Sequence, residues 1–570
     1  MGNLRSIRRQ IGKQHRPQPD PGVSEGPERI ELDRTELEAI LARAKTTPVS
    51  EEDYAKLHAV IETLIFLTQE LEKKRVSVQR LKQLLFGATT ETTRKVIEKI
   101  LDEAGKPSPS DGDAKETPAP QTPPKAPGHG RNGAEEYQGA EVVHVTHPSL
   151  RGGDRCPSCQ KGRAYETAEP GRLVRIRGQA PLGATVYELQ KLRCNLCGEI
   201  FTAPAPPGVG PEKYDAESGA MIALLKYGSG MPFNRLERLE GSLGIPLPSA
   251  TQWQIAQAMD RTIQPVGKAL IRQAAQGRIL HNDDTTMKIL DLARRRQESK
   301  DSESDSPPDR KGVYTSGIVS VLEDHRIALF FTGHRHAGEN LAAVLKQRAS
   351  ELGPPIQMCD ALSRNMPHEL QTILSNCLAH GRRRFVEVAR HFPHECLQVL
   401  EILREVYKND AEAKHQGLSP EQRLAFHQTH SGPRMVELKA WLTEQIEHHK
   451  VEPNSSLGEA ITYMLNHWEP LTLFLRQPGA PLDNNVCEAA LKKAILHRKN
   501  AYFYKTENGA HVGDRFMSLI HTCELNQINP FEYLTALHKH AHELSNHPDD
   551  WMPWNYRDTL QKQTTLPSNG

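Results

Sequence analysis

The stretch Ile279-Leu280-His281-Asn282-Asp283-Asp284-Thr285-Thr286-Met287-Lys288-Ile289-Leu290 marks a change of periodicity along the chain. An apolar start running into carboxylates and β-branched residues reads as a strand that carries acid toward one end. Tyr314 to Leu322 and Arg326 to Thr332 then read as two strands joined by the turn Glu323-Asp324-His325. The run 297–309, with Glu298, Asp301, Glu303, Asp305 and Asp309, reads as a charged loop. A helix over 338–350 follows, then a short strand, Pro355 to Cys359, that ends at Asp360.

Three strands, a helix and a fourth strand open a ribonuclease-H-like α/β fold. In that arrangement an acid in the first strand and one ending the fourth lie side by side. The chain then turns helical: Asn376-Cys377-Leu378-Ala379-His380 leads into Arg382, Arg383 and Arg384, and 386–475 reads as helices. Past Pro478-Gly479-Ala480-Pro481-Leu482, the block Asp483-Asn484-Asn485-Val486-Cys487-Glu488 opens another helix. Residues 491–506 hold Lys492, Lys493, Arg498, Lys499 and Lys505 with no acid, interleaved with Tyr502, Phe503 and Tyr504, a composition suited to a phosphate backbone and stacked bases. Together Asp283, Asp360 and Glu488 would supply hard oxygen ligands for two Mg²⁺ ions, or Mn²⁺ in their place. Each acid also has a plainer reading. Asp283 can be a turn former, Asp360 a helix cap, and Glu488, three residues after Asn485, a capping-box residue.

Upstream, 215–262 reads as all-helical. Ser218 to Tyr227 and Asn234 to Leu243 form two runs, and the turn Gly244-Ile245-Pro246-Leu247-Pro248 precedes a helix that Ser249 can cap. Two helices across such a turn have a helix-turn-helix-like pattern. Before them stand Cys156-Pro157-Ser158-Cys159 and Cys194-Asn195-Leu196-Cys197. Two C-x-x-C pairs complete a tetrahedral Zn²⁺ site, a zinc ribbon, with strands expected at Leu173–Arg177 and Thr185–Leu189. Arg172, Arg175 and Arg177 give the ribbon a basic face for DNA. Residues 104–133 contain seven prolines and read as a disordered linker. Before it, Leu57, Leu64, Leu71, Val78 and Leu85 recur every seventh residue, with Val60, Leu67 and Leu81 on the alternate seam, the pattern of a homo-oligomerising coiled coil. The expected organisation is multidomain: a basic mobile arm (1–48), coiled coil (49–103), linker (104–135), zinc ribbon (136–210) and small helical DNA-binding domain (211–275). An α/β ribonuclease-H-like catalytic core follows (276–385 and 478–545), interrupted by a helical insertion (386–477) and followed by a tail (546–570).

The chain has 570 residues, with 72 basic and 71 acidic side chains and a formal net charge of +1. That balance excludes a protein that binds nucleic acid by being basic all over. Positive charge is instead concentrated in 1–16, 171–193 and 491–506. A mean hydropathy of −0.60 and the lack of any run near the roughly 18 apolar residues of a spanning helix argue against a membrane role. No signal-like apolar stretch follows the N-terminus. The odd count of nine cysteines, four of them in C-x-x-C pairs, points to a reducing compartment and a metal rather than disulfides.

The sequence resembles the bacterial transposases of the insertion sequence 66 family. The match is strongest in Asp483-Asn484-Asn485-x-x-Glu488, Arg498-Lys499-Asn500, Ser518-Leu519-Ile520-His521-Thr522 and Leu525-Asn526-Gln527-Ile528-Asn529-Pro530-Phe531-Glu532-Tyr533-Leu534. Leu84-Leu85-Phe86-Gly87, the two C-x-x-C pairs, His281-x-Asp283, Asp360 and Cys377-x-Ala379-His380-x-Arg382-Arg383-x-Phe385 stand upstream in the family's order. The resemblance implies a DDE-type transposase, a polynucleotidyl transferase. It would bind the terminal inverted repeats of its element and use metal ions at Asp283, Asp360 and Glu488 to cleave and transfer strands. Where the family commonly has Asp-Glu, this chain has Asp283-Asp284, so Asp284 is a rival ligand. Leu378 stands where a Trp is common. His380, Arg382, Arg383, Arg384, Lys492, Arg498 and Lys499 are expected to hold DNA. Partners would be element ends, target DNA, further copies of the chain and accessory proteins, in a bacterial cytoplasm at the nucleoid. Two other functions fit the same parts: an inactive zinc-ribbon repressor or architectural protein, and a nuclease of the same fold.

Overall fold

The computed structural model describes residues 142–165, 180–193, 195, 197, 200–210, 212–300, 312–367 and 370–565, with parts of 40–58. The coiled-coil seam beyond His58, the linker, Arg172, Arg175, Arg177 and Cys194 lie outside the described residues. Two compact units divide the chain, a small one within Ser108–Gly208 and Arg238–Pro246 and a large one that includes Val209–Glu237 and Leu247–Gly570.

In the small unit, Cys156–Gly162 forms a tight knuckle. The Cys156 N–H donates to Gly162 O (2.8 Å) and Gln160 N–H to Cys156 O (2.9 Å), while Gln160 takes φ 59°. A hairpin of β1 (Lys191–Arg193) and β2 (Ile200–Thr202) pairs Leu192 with Phe201. Thr185–Leu189, expected as a strand, has no regular structure, and the pairing begins two residues later.

From Val209 on, the large unit opens with α1 (Ala216–Ala223), capped where the Ser218 N–H donates to Asp215 Oδ1 (2.8 Å). It continues through a π-helical turn, the start of α2 (Phe233–Ser242), whose residues from Arg238 on are counted with the small unit, and α3 (Ser249–Ala274). Ser249 does not cap α3 as expected. Pro248 holds the cap position, and the Ser249 N–H donates to the Glu237 carboxylate instead (3.2 Å).

Five strands then form one sheet: β3 (Ile279–Thr286), β4 (Tyr314–Val321), β5 (Arg326–Gly333), β6 (Ile356–Cys359) and β7 (Ile373–Asn376), in the order β5-β4-β3-β6-β7. The three longest pair antiparallel, while β3, β6 and β7 run parallel. Parallel pairing matters because it brings the C-terminal ends of β3, β6 and β7 to one edge. Between strands stand α4 (Leu290–Lys300), which runs into the segment expected to be a charged loop, and α5 (Ala337–Leu345). The helices α6 (Leu378–Val388), α7 (Pro393–His415), α8 (Pro420–His430), α9 (Gly432–Glu447) and α10 (Ser456–Asn466) separate β7 from α11 (Asn485–Ala501). The chain closes with α12 (Glu507–Leu525), α13 (Pro530–Lys539) and α14 (Tyr556–Thr565).

Among the described residues, two large apolar cores and a small one around Met287, Ile289 and Tyr504 hold this unit. The first joins the sheet to α1, α3 and α12, with Ile263, Val266, Leu280, Ile318 and Phe516 fully buried. Helices α1 and α3, expected within a separate domain at 211–275, therefore share the core of the sheet, and the Tyr227 ring stacks on Phe516 at 5.0 Å. Residues 546–570, expected as a tail, contribute Trp551, Met552 and Tyr556 to the same core. The second core lies among α6 to α10, around Phe385, Leu400, Leu438 and Ile461. Among the described residues no helix is long and apolar enough to cross a membrane.

Candidate functional site

β3 leads from a buried apolar start to a polar end, with His281 and Asn282 buried and Thr286 exposed. Its register with β6 pairs His281 with Met358. Continued two residues, it sets Asp283 level with Asp360, just past the end of β6. Burial, with the charge of Asp360 next in size, pushes the Asp283 carboxyl up to about 7, and Asp284 and Glu488 add to the effect.

Glu488 arrives from the first turn of α11. The adjacent Cys487 thiol donates to Gly317 O (3.3 Å), and Gly317 is the residue directly opposite Asp283 on β4. A Cβ on Gly317 would lie 3.0 Å from the Leu491 side chain. Glycine there is what allows α11 to lie close on the sheet at the level of Asp283. Glu488 is not the capping-box residue of the plainer reading, because it faces His380 Nδ1 (3.8 Å) and Arg383 (3.9 Å). Burial lowers the His380 pKa, against the opposing pull of the Glu488 charge.

Neighbouring strand residues point to opposite faces, and Asp284 accordingly meets different partners. Its carboxylate, 2% exposed, is held by His336 Nδ1 (2.9 Å) and Arg364 (3.5 Å). Of the two adjacent aspartates, Asp283 is the one whose carboxyl feels the charges of Asp360 and Glu488.

Behind the acids runs a buried polar network that sequence reasoning missed. His281 Nδ1 meets Asn484 Oδ1 (3.1 Å), and Asn484 Nδ2 donates to Asn282 O (3.1 Å). Burial lowers the His281 pKa to about 4, which leaves a neutral ring donating from Nδ1. Gln357 Nε2 donates to Asn282 Oδ1 (2.9 Å), Asn282 Nδ2 to Asn365 O (2.9 Å), and the Asn365 amide to Asp360. Each acid is thus next in sequence to a member of the network or bonded to one. The available signal was Gln357, a lone polar residue in an apolar strand.

The basic residues divide. Lys492 and Lys499 are exposed on α11, and Arg383 is exposed beside Glu488. The Arg384 guanidinium lies 4.0 Å over the Tyr463 ring, and Arg382 is half-buried. Arg498, expected on a DNA-facing surface, instead donates to Thr285 Oγ1 (3.1 Å) and Thr286 Oγ1 (2.6 Å), pinning α11 to the end of β3. In the small unit, N–H groups of Gly162 and Lys161 and the Cys156 side chain hold the Cys159 thiol below its ordinary pKa. Cys197 is exposed.

An α/β domain with a mixed sheet and carboxylates gathered at the ends of its parallel strands is the setting here, and comparison with known proteins places the chain among the transposases. More particularly, it belongs to the Transposase IS66 family, whose sequence profile matches residues 213–512. Two similar proteins of Sinorhizobium fredii are the uncharacterized proteins y4jD and y4hP. The first is 27% identical over 380 residues, 64% of this chain and 71% of the relative. The second is 26% identical over 399 residues, 65% of this chain and 67% of the relative.

Proposed function

We propose that the large unit is a ribonuclease-H-like transposase core in which Asp283, Asp360 and Glu488 hold divalent cations, Mg²⁺ or Mn²⁺, for cleavage and transfer of element ends. The carrying observation is the β3–β6 register, which sets Asp283 level with Asp360, together with the placement of Glu488 by α11. The donor set fits a hard cation. Burial, with the charges of Asp360, Asp284 and Glu488 added to it, pushes the Asp283 carboxyl up to about 7, and a bound cation would offset that accumulated charge. Bound ions would supply a Lewis acid at the phosphate and lower the pKa of the attacking water.

The protein's own part is positioning. The His281–Asn484–Asn282 network fixes the strands that carry the acids. Arg383, Lys492 and Lys499 offer exposed charge for phosphates, the first at the acids and the others along α11. Hydrolysis at an element end leaves a 3′-hydroxyl, which then attacks a target phosphodiester. The Cys156–Gly162 knuckle supports the reading of a structural Zn²⁺ held by Cys156, Cys159, Cys194 and Cys197. That ribbon, with Arg172, Arg175 and Arg177, would bind end sequence, while the heptads of 49–103 would pair protomers.

Asp360→Ala should abolish cleavage and strand transfer of labelled element ends while leaving mobility-shift binding of those ends near the parent level. Transfer retained by that variant would falsify the assignment. A parent protein that binds ends without nicking them would be a repressor, and one that cuts without joining would be a nuclease.

A further inference from the structure

We propose that Cys377, His380 and Glu488 form a second cation site, for a thiophilic divalent ion such as Zn²⁺, that shares Glu488 with the acidic centre. The regulatory consequence rests on the transposase reading above, but the ion binding itself does not.

Cys377 stands at the junction of β7 and α6, and His380 lies in the first turn of α6. The C-x-x-H spacing brings thiol and imidazole to one side of a single turn, as C-x-x-C does in a zinc knuckle. Glu488 closes the set from α11, so that one ligand atom from each residue lies within 4.8 Å of the other two. His380 Nδ1 and Glu488 Oε1 are both buried atoms without a hydrogen-bond partner. They face each other at 3.8 Å, too far for a hydrogen bond and close to the roughly 3.4 Å between two ligands of a tetrahedral Zn²⁺ with bonds near 2.1 Å. A shared cation would relieve both atoms.

The donor chemistry selects the ion. Thiolate and imidazole favour Zn²⁺ and its neighbours over Mg²⁺, and one thiolate, one carboxylate and a neutral imidazole cancel the +2 charge. The ligands are also braced from behind. The Asn484 N–H donates to Cys377 Sγ (3.2 Å), an outer contact of the kind that stabilises a thiolate ligand, and Asn484 is the residue from which α11 starts. Glu488 bound here is withdrawn from Asp283 and Asp360, so this site would hold the acidic centre incomplete.

The test is zinc content by atomic absorption after the full-length protein is dialysed against buffered Zn²⁺ without DNA. Cys377→Ser and His380→Gln should each bind one zinc fewer than the parent. Substitution of Co²⁺ should give thiolate-to-cobalt absorption that weakens in Cys377→Ser. His380 is only partly buried, so its variant covers the case in which Cys377→Ser fails to fold. A variant with serine at Cys156, Cys159, Cys194 and Cys197 should keep the Cys377-dependent zinc. Zinc content unchanged in both Cys377→Ser and His380→Gln would overturn the site and leave the cluster a set of polar contacts. Neither result depends on strand transfer, so loss of this proposal and loss of the transposase reading are separately visible.

Discussion

Asp514 is fully enclosed on α12, where it accepts from the Thr332 N–H and hydroxyl (both 2.6 Å), and the Thr332 hydroxyl in turn meets that of Thr315 (2.8 Å). Burial outweighs these bonds and raises its pKa from 3.8 to about 7. The sign follows from linkage. Between those two values the folded protein keeps a proton that the unfolded chain releases, so the contribution to stability is full below pH 4 and is lost as pH rises to 7. Three pH units correspond to about 4 kcal/mol. Asp514→Asn keeps the acceptor and a donor without the titration. In urea unfolding it should match the parent near pH 4 and exceed it by up to about 4 kcal/mol at pH 8. A parent-minus-variant difference that stays constant with pH would refute this. Little of it was legible beforehand, because nothing in Gly513-Asp514-Arg515 distinguishes a buried aspartate from a solvated one. The acids proposed for the site carry a clearer signal in the sequence. Asp283, Asp360 and Glu488 stand where strands end and a helix begins, although alternation alone could not tell which of Asp283 and Asp284 faces the other acids.

At the scale of elements, α12 closes the open edge of the sheet with side chains. Asp514, Ser518, Thr522 and Asn526, spaced four apart, accept from the N–H groups of Thr332, Phe330, Ala328 and Arg326, spaced two apart (2.6, 3.0, 3.0 and 3.0 Å). Four helical residues rise about 6.0 Å and two strand residues about 6.6 Å, so an antiparallel helix can stay in step with a strand over this length. The clamp removes a free strand edge, which would otherwise pair with another chain. Ser518→Ala and Thr522→Val should each cost about 1–3 kcal/mol in urea unfolding, because each leaves a buried strand N–H unpaired. Asn526→Ala, at the exposed end, should cost less. Equal, negligible losses at all three positions would mean that α12 is held by its apolar face alone. β4 and β5 were readable as apolar runs around an acidic turn. β7 was not, since four residues offer no alternation to count, and polar residues every four along a helix usually mean a face in water.

Across the large unit, the second core is clipped between the two elements that meet at Glu488. It takes Leu378 and Phe385 from α6 and ends at Leu482, two residues before Asn484. Its stability therefore bears on whether His380 and Arg383 keep their places. Inside it Asp410, nearly buried, is held by Lys414 (2.7 Å), by Arg423 Nε (3.0 Å) and by His427 Nε2 (3.2 Å). Burial alone would raise its pKa, but hydrogen bonds from His427 and Lys414 and the charge of Arg423 outweigh it and hold the carboxyl below the ordinary range. Removing Asp410 leaves the partly buried Arg423 guanidinium without its counter-charge and the buried His427 without its acceptor, at a cost of roughly 3 kcal/mol, while the exposed Lys414 returns to water. Asp410→Ala should consequently speed amide hydrogen exchange across α7 to α10 and in α6, while β3, β4 and β5, which rest on the first core, keep parent protection. If end cleavage depends on α6 as proposed, it should fall in the same variant without loss of end binding. Exchange that rises equally in the sheet and in the insertion would show instead that the two cores unfold as one.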